Sequence, residues 1–233
     1  MSAPPRIIAA VALGLSLCLV TAEGTGAADG RLYPSGPPNG VAYLRFANLS
    51  TQRVTVASPA AELALPSDNS QRVRQYDPVT PGTELTGTVK LGGKAEPINL
   101  KLTPNEFLTV VVTGSAEGGP HVTLVRESPS DFNALKSSLA LYNLDPGCGD
   151  GKLLAGDDRI AVISGVTPDK SGRRLVNPVN VALTVACDDT SKGAAVELGP
   201  MAAGERYSVF VFAASGPGRQ AFAVRDEMAP FRP

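Results

Sequence analysis

Tryptophan is absent from this chain, histidine occurs once, at His121, and aromatic residues make up only 5% of it. Each shortage removes a class of site. Hydrolytic and acyl-transfer centres usually pair a nucleophile with a histidine base near neutral pH. Here the one histidine stands in "GGPHVTLV", at the start of a predicted strand, with Gly118 rather than an acid three residues before it. No Gly-x-Ser-x-Gly motif occurs, so His121 reads as a turn-edge residue without a catalytic task. Sugar-binding β-sandwiches commonly stack pyranose rings on exposed Trp or Tyr. Tyr43, Tyr142 and Tyr207 fall within predicted strands, and only Tyr33 and Tyr76 lie in loop-like stretches where a ring could be exposed. A shallow polar groove is the form that polysaccharide contact could still take.

Charge of one sign is also lacking. The formal net charge is −1 and no block of Lys or Arg occurs, which argues against nucleic acid as a partner. The acidic stretch "DPGCGDGKLLAGDD" invites a calcium reading, but counting from Asp145 puts glycines at positions 3 and 5 and Asp150 at position 6. An EF-hand loop needs oxygen ligands at 3 and 5 and Gly at 6. No metal or other cofactor is expected, and the stretch reads as a solvated loop around Cys148.

The chain has 24 glycines and 20 prolines, in short clusters between apolar runs, a pattern of many turns joining short strands. The first residues, Met1 to Arg6, end in a positive charge, and Ile7 to Val20 is an unbroken apolar run too short to span a bilayer comfortably. Gly26-Ala27-Ala28 offers a cleavage site, so residues 1–28 read as a cleavable signal peptide and the protein as exported. Cleavage removes Cys18 and leaves Cys148 and Cys187. In an oxidising compartment two remaining cysteines suggest one disulfide.

Beyond the signal peptide, "VAYLRFANLS" alternates with the period of a strand, and "SLALYNL" does the same about a hundred residues later. Both runs close on Asn-Leu (Asn48-Leu49 and Asn143-Leu144). "INLKLTPNEFLTVVVTG" and "VELGPMAAGERYSVFVFAA" each run strand, short Pro-containing turn, acidic residue, hydrophobic strand. That is an internal repeat. The expected architecture is all-β: two tandem β-sandwich domains, Ig-like or jelly-roll-like, over residues 29–127 and 138–233, joined by a linker at 128–137.

One charged stretch stands out, "GRRLVNPVNVALTV". Pro178 belongs at the first residue of a strand, after which Val179, Val181, Leu183 and Val185 share one face. Arg173 and Arg174 then precede that strand, on a loop at the rim of the second sandwich. Arginine is enriched in the anchors of protein interfaces, so Arg173, Arg174 and Asn177, with Tyr33 and Pro34 of the lead-in, are the candidate partner contacts.

At these residues the chain resembles the AlgF family of accessory proteins in bacterial exopolysaccharide O-acetylation. The resemblance rests on "RLYPSGPPNGVAYLRFAN", "KSSLALYNL", "RRLVNPVNVALTV" and "GERYSVFVF", in that order along the chain. It implies two β-sandwich domains in the periplasm with no catalytic activity of their own. It further implies an adaptor role, through protein–protein contacts, beside a membrane-bound O-acyltransferase and SGNH-type acetyltransferases. Members serve alginate acetylation and related ones cellulose acetylation. The cysteine pair and the "DPGCGDGKLLAGDD" loop depart from the family pattern, which leaves the polymer open. The rival is a polysaccharide-binding module that presents the polymer to the acetyltransferase.

Overall fold

Sixteen strands and no helix make up the regular structure of the described residues. The structure, a computed structural model, describes residues 36–129, 132–157, 159–188, 193–213 and 218–231. The expected signal peptide, Tyr33 and Pro34 lie outside these. In chain order the strands are β1 (Ala42–Asn48), β2 (Val54–Ala57), β3 (Glu62–Leu65), β4 (Asp77–Val79), β5 (Glu84–Leu91), β6 (Lys94–Lys101), β7 (Phe107–Gly114) and β8 (Pro120–Glu127). The second eight are β9 (Ser137–Leu144), β10 (Gly151–Ala155), β11 (Ile160–Val166), β12 (Lys170–Val176), β13 (Leu183–Cys187), β14 (Ala194–Val196), β15 (Arg206–Ala213) and β16 (Arg219–Arg225).

The repeat glimpsed in the sequence is a repeat of topology. The first eight strands form sheets of order β3-β2-β5-β6 and β4-β1-β7-β8, the second eight β11-β10-β13-β14 and β12-β9-β15-β16. Adding eight to each strand number converts one half into the other. Parallel pairing recurs with it, between β1 and β7 and between β9 and β15.

Four layers result. The sheets centred on β1-β7 and on β9-β15 are the inner ones. Their facing sides meet in a core that includes Ala47, Val111, Tyr142, Phe210 and Phe222. Leu139, Leu141, Val209 and Val211 point the opposite way, against Leu153, Leu183 and Val185 of the second half's outer sheet. Val54, Val89 and Val112 pack likewise between the two sheets of the first half. Strands β7, β9 and β15 are therefore covered on both faces, which is why they read as near-continuous apolar runs rather than alternating ones.

The paired Asn-Leu endings close equivalent strands. Asn48 Nδ2 donates to the carbonyls of Gln52, Leu65 and Pro66, and Asn143 Nδ2 to those of Cys148 and Val166. Each Oδ1 accepts the amide two residues on, from Ser50 and Asp145. Both side chains are fully buried, so these asparagines tie the outgoing loop to the strand ends.

Cys148 and Cys187 are bonded, with Cα atoms 5.1 Å apart. The "DPGCGDGKLLAGDD" stretch is not all loop: its centre is β10, paired with β11 and β13. Among the described residues no three His, Cys, Asp or Glu side chains are grouped as a metal site requires. Asp145 instead pairs with Arg219, and Asp150 accepts the Gly165 amide.

Candidate functional site

The charged stretch folds differently from its expectation. Arg173 and Arg174 do not lie on a rim loop. They belong to β12, where Arg173 pairs with Ala140 and Arg174 with Leu139. Val179 is 44% exposed, and the following strand begins only at Leu183. The reason lies in partners that are distant in sequence. Alternation along β12 turns Arg173 inward, between the two halves, where acids meet it. Arg174 points outward, is exposed and donates to the Val162 carbonyl. Asn177 is exposed beyond the strand and accepts from Lys136. Tyr76, expected in a loop, is fully buried: its ring packs on Phe107 and under Arg45, and its backbone joins Glu227 and Ala229 in a bridge across the halves.

These inward residues build a charged cluster in the middle of the interface. Arg45 of β1 donates from Nη1 to Asp226 Oδ1 at 2.7 Å, from Nη2 to Ser208 Oγ at 2.9 Å and from Nε to Thr109 Oγ1 at 3.0 Å. Its guanidinium lies over the Tyr76 ring, 4.2 Å from the centroid. Arg173 crosses in the opposite direction, to both oxygens of Glu127 at 3.1 and 3.2 Å and to Asp226 Oδ2 at 3.3 Å. Tyr142 donates to Glu127, and its hydroxyl lies 3.1 Å from that of Tyr76.

The repeat organises this cluster. With Asn48 laid on Asn143, Thr109 falls on Ser208, Glu127 on Asp226 and Tyr76 on Arg173. The two acids thus occupy equivalent places, each bonded by an arginine of the other half. Burial works to raise the Asp226 carboxyl, but Arg45 and Arg173 overcome it and hold it at about 2. Burial likewise works to raise Glu127, and Arg173 lowers it below the usual carboxylate range. Burial works to lower Arg173, yet the two carboxylates hold it well above its ordinary value.

A third guanidinium enters from β15. Arg206 is 4% exposed, and its Nε, Nη1 and Nη2 are all buried without a hydrogen-bond acceptor. It lies 5.0 Å from the Phe107 ring centroid and 5.2 Å from that of Phe132. Burial, and then the Arg173 charge, lowers its pKa.

Two hollows open at opposite ends of the interface. A groove of about 670 Å³ lies at the carboxyl ends of β1, β7, β9 and β15, so equivalent loops of both halves form its walls. Its lining mixes hydroxyl and amide side chains, among them Ser50, Thr51, Gln52 and Gln220, with apolar Leu49, Leu91, Leu144 and Phe212, and adds Arg72, Asp169 and His121. Two of the hydroxyls there serve the local turns: Ser50 Oγ lies 2.7 Å from Asn48 Oδ1 and 2.9 Å from the Gln52 carbonyl, and Ser115 Oγ accepts the Gly119 amide. The smaller hollow, about 260 Å³, lies at the amino ends of β9 and β15 and is lined by Arg206, Lys136, Ser138, Phe132 and Met228 among others.

Fold and site together define an all-β protein of two repeated sandwiches, locked face to face by buried charge and leaving a groove between them. The chain is similar to "Alginate biosynthesis protein AlgF" of Pseudomonas putida, 26% identical over 94% of this chain and 93% of that one. The protein of that name from Pseudomonas aeruginosa is 27% identical over 91% of this chain and 88% of its own. Among solved structures, the Bacillus anthracis TIE protein covers 79% of this chain at 9% identity with a TM-score of 0.25, too low to bear on the fold. The family model described as "Alginate O-acetyl transferase AlgF" matches residues 12–208. The chain belongs to the AlgF family.

Proposed function

We propose that this protein is a periplasmic, non-catalytic adaptor for O-acetylation of a secreted exopolysaccharide. It holds a membrane-bound O-acyltransferase and SGNH-type acetyltransferases together through protein–protein contacts, raising the effective concentration of one at another. Family membership supports the pathway. The observation that carries the adaptor role is the inter-half groove: it is built from both halves beside the charged cluster, and among the described residues it holds no nucleophile bonded to a base. His121, its one imidazole, is exposed at the wall.

The docking surface is accordingly the groove rim rather than Arg173, whose side chain is committed to Glu127 and Asp226. Exposed Thr51 and Gln220 stand on the rim, one from each half. A Thr51→Arg/Gln220→Arg variant is expected to keep its β-sheet circular dichroism and to lose co-purification with the pathway's acetyltransferases. Unchanged co-purification removes the groove from the account, and absence of any complex with the unaltered protein removes the adaptor. The hydroxyl and amide side chains within the same groove, Thr51, Gln52 and Gln220 among them, favour a second reading, a polysaccharide-binding module. Saturable polymer binding without any protein complex would put that reading first.

A further inference from the structure

Arg72 is a buried cation with no acid bonded to it among the described residues. It is 6% exposed, yet it lines the groove between the halves. Nη2 donates to the carbonyls of Ser50 and Ser67, and the guanidinium lies 5.6 Å from the Phe212 ring centroid and 5.2 Å from that of Phe222. Nε is buried without an acceptor, whereas Nη1, also unbonded, keeps its access to solvent. Asp68 acts on the charge from nearby but accepts from Ser70 instead. The acids of the charged cluster, Glu127 and Asp226, are bonded to Arg173 and Arg45. A buried charge without an ionic partner is costly until something completes it.

We propose that the groove seats a single acidic side chain, Asp or Glu, of a partner protein, with Arg72 Nη1 as its donor and the acid's apolar neighbours against the surrounding walls. This rests on the adaptor reading and names the chemistry of the segment that docks. An arginine N–H and a carboxylate form a charge-assisted bond, shorter and stronger than a neutral one. Leu49, Leu91, Leu144 and Phe212 give the groove apolar surface, which favours apolar side chains beside the acid. Asp169 lines the same groove, so a polymer with a carboxylate on every sugar would meet a repelling charge as well as an attracting one. One acid among apolar residues matches one free cation among apolar walls. The volume, about 670 Å³, admits several side chains.

His121 is the chain's one histidine and lines the groove, so in the untagged protein its ring protons report on this site by NMR. The probe is the blocked peptide acetyl-Leu-Asp-Leu-amide, titrated at fixed pH and low salt. It is expected to shift the His121 resonances saturably, with acetyl-Leu-Asn-Leu-amide binding at least tenfold more weakly. Arg72→Gln should bring the two peptides to equal affinity. Gln220→Glu, at an exposed position on the rim, should weaken the Asp peptide several-fold and leave the Asn peptide as it was, which keeps the test open if Arg72→Gln does not fold. The proposal is overturned by still His121 resonances, by equal affinity of the two peptides for the unaltered chain, or by discrimination that survives in the variants. Tighter binding of an alginate oligosaccharide than of the Asp peptide would also overturn it, in favour of the polymer. Co-purification with the acetyltransferases is a separate measurement. An intact complex with no peptide binding removes the acidic anchor and keeps the adaptor; peptide binding with no complex keeps the anchor and removes the adaptor.

Discussion

Replacing Asp226 with Asn tests the charged cluster most directly. The carboxylate is fully buried and accepts from Arg45 at 2.7 Å and Arg173 at 3.3 Å. Asn keeps the shape but removes the charge, leaving Arg45, 1% exposed at its side chain, without a counterion. Breaking a buried pair on one side costs about 3–5 kcal/mol. An independent estimate comes from the carboxyl itself. Its displacement from an ordinary 3.8 to about 2 is worth roughly 2 kcal/mol of preference for the charged form, a floor that excludes the cost of the orphaned arginines. The expected loss is therefore about 3–5 kcal/mol, seen as a lower urea midpoint at unchanged slope. Without tryptophan, far-UV circular dichroism or tyrosine fluorescence must report the transition. The companion variant Arg45→Met/Asp226→Leu removes both charges and is expected to recover most of the loss, because apolar replacement of a whole buried pair is often near neutral. A loss below about 1 kcal/mol for Asp226→Asn, or simple additivity in the double variant, would refute the claim that this pair locks the halves.

Acid should unlock the same interface. Glu127 and Asp226 both have depressed pKa values in the folded state, so their contribution is complete above the unfolded carboxylate range, near pH 4, and declines as pH falls toward about 2; a stability profile flat across that window would contradict it. Replacing Cys148 and Cys187 with serine opens a cross-link between residues 39 apart, and chain entropy puts the cost at about 4 kcal/mol, read from denaturation midpoints against the oxidised protein. Asn48→Ala strips a donor from three carbonyls and Asn143→Ala from two. Each should lower stability by about 1–3 kcal/mol, with Asn48 the larger; a reversed order would contradict the counting of lost bonds.

The β-sandwich halves were legible because their signals are local. Period-two alternation, glycine-rich turns and twin Asn-Leu endings all fall within a few residues of one another. The cluster was not legible, because its partners are remote. Arg173 meets Glu127 across 46 residues of chain and Asp226 across 53, and without those acids two adjacent arginines read as a solvated rim. A signal was nevertheless present. "VRE" at Val125–Glu127 and "VRD" at Val224–Asp226 are the same tripeptide pattern in the two halves, closing β8 and β16, and the acid of each turns into the interface. The arginine between performs an equivalent task outside: Arg126 pairs with Glu106, and Arg225 with Glu205. Tyr76 escaped notice for another reason. Its neighbours Gln75, Asp77 and Pro78 are turn-like in composition, and its ring is buried by Phe107 and Arg45, each some thirty residues away in sequence.

Two departures from the repeat's symmetry show opposite fates for a buried arginine. Arg45 stands where the second half has Ala140, and Arg206 stands where the first half has Phe107. Each adds a positive charge to the interface without adding an acid. For Arg45 the fold supplies acceptors to all three nitrogens and a tyrosine face below the plane. Its charge is accounted for by the lock between the halves. For Arg206 the fold supplies two phenylalanine rings and no acceptor. Packing alone would be served at lower cost by a second apolar side chain such as Phe107, which fills the equivalent place with no charge to bury. Arg206 therefore carries a desolvation cost that the fold offsets with ring contacts and no hydrogen bond, whereas Arg45 is bonded at every nitrogen. On this reasoning Arg206→Leu should hold or raise stability, the opposite of the outcome for Asp226→Asn, and a loss above about 1 kcal/mol in urea denaturation of Arg206→Leu would refute it.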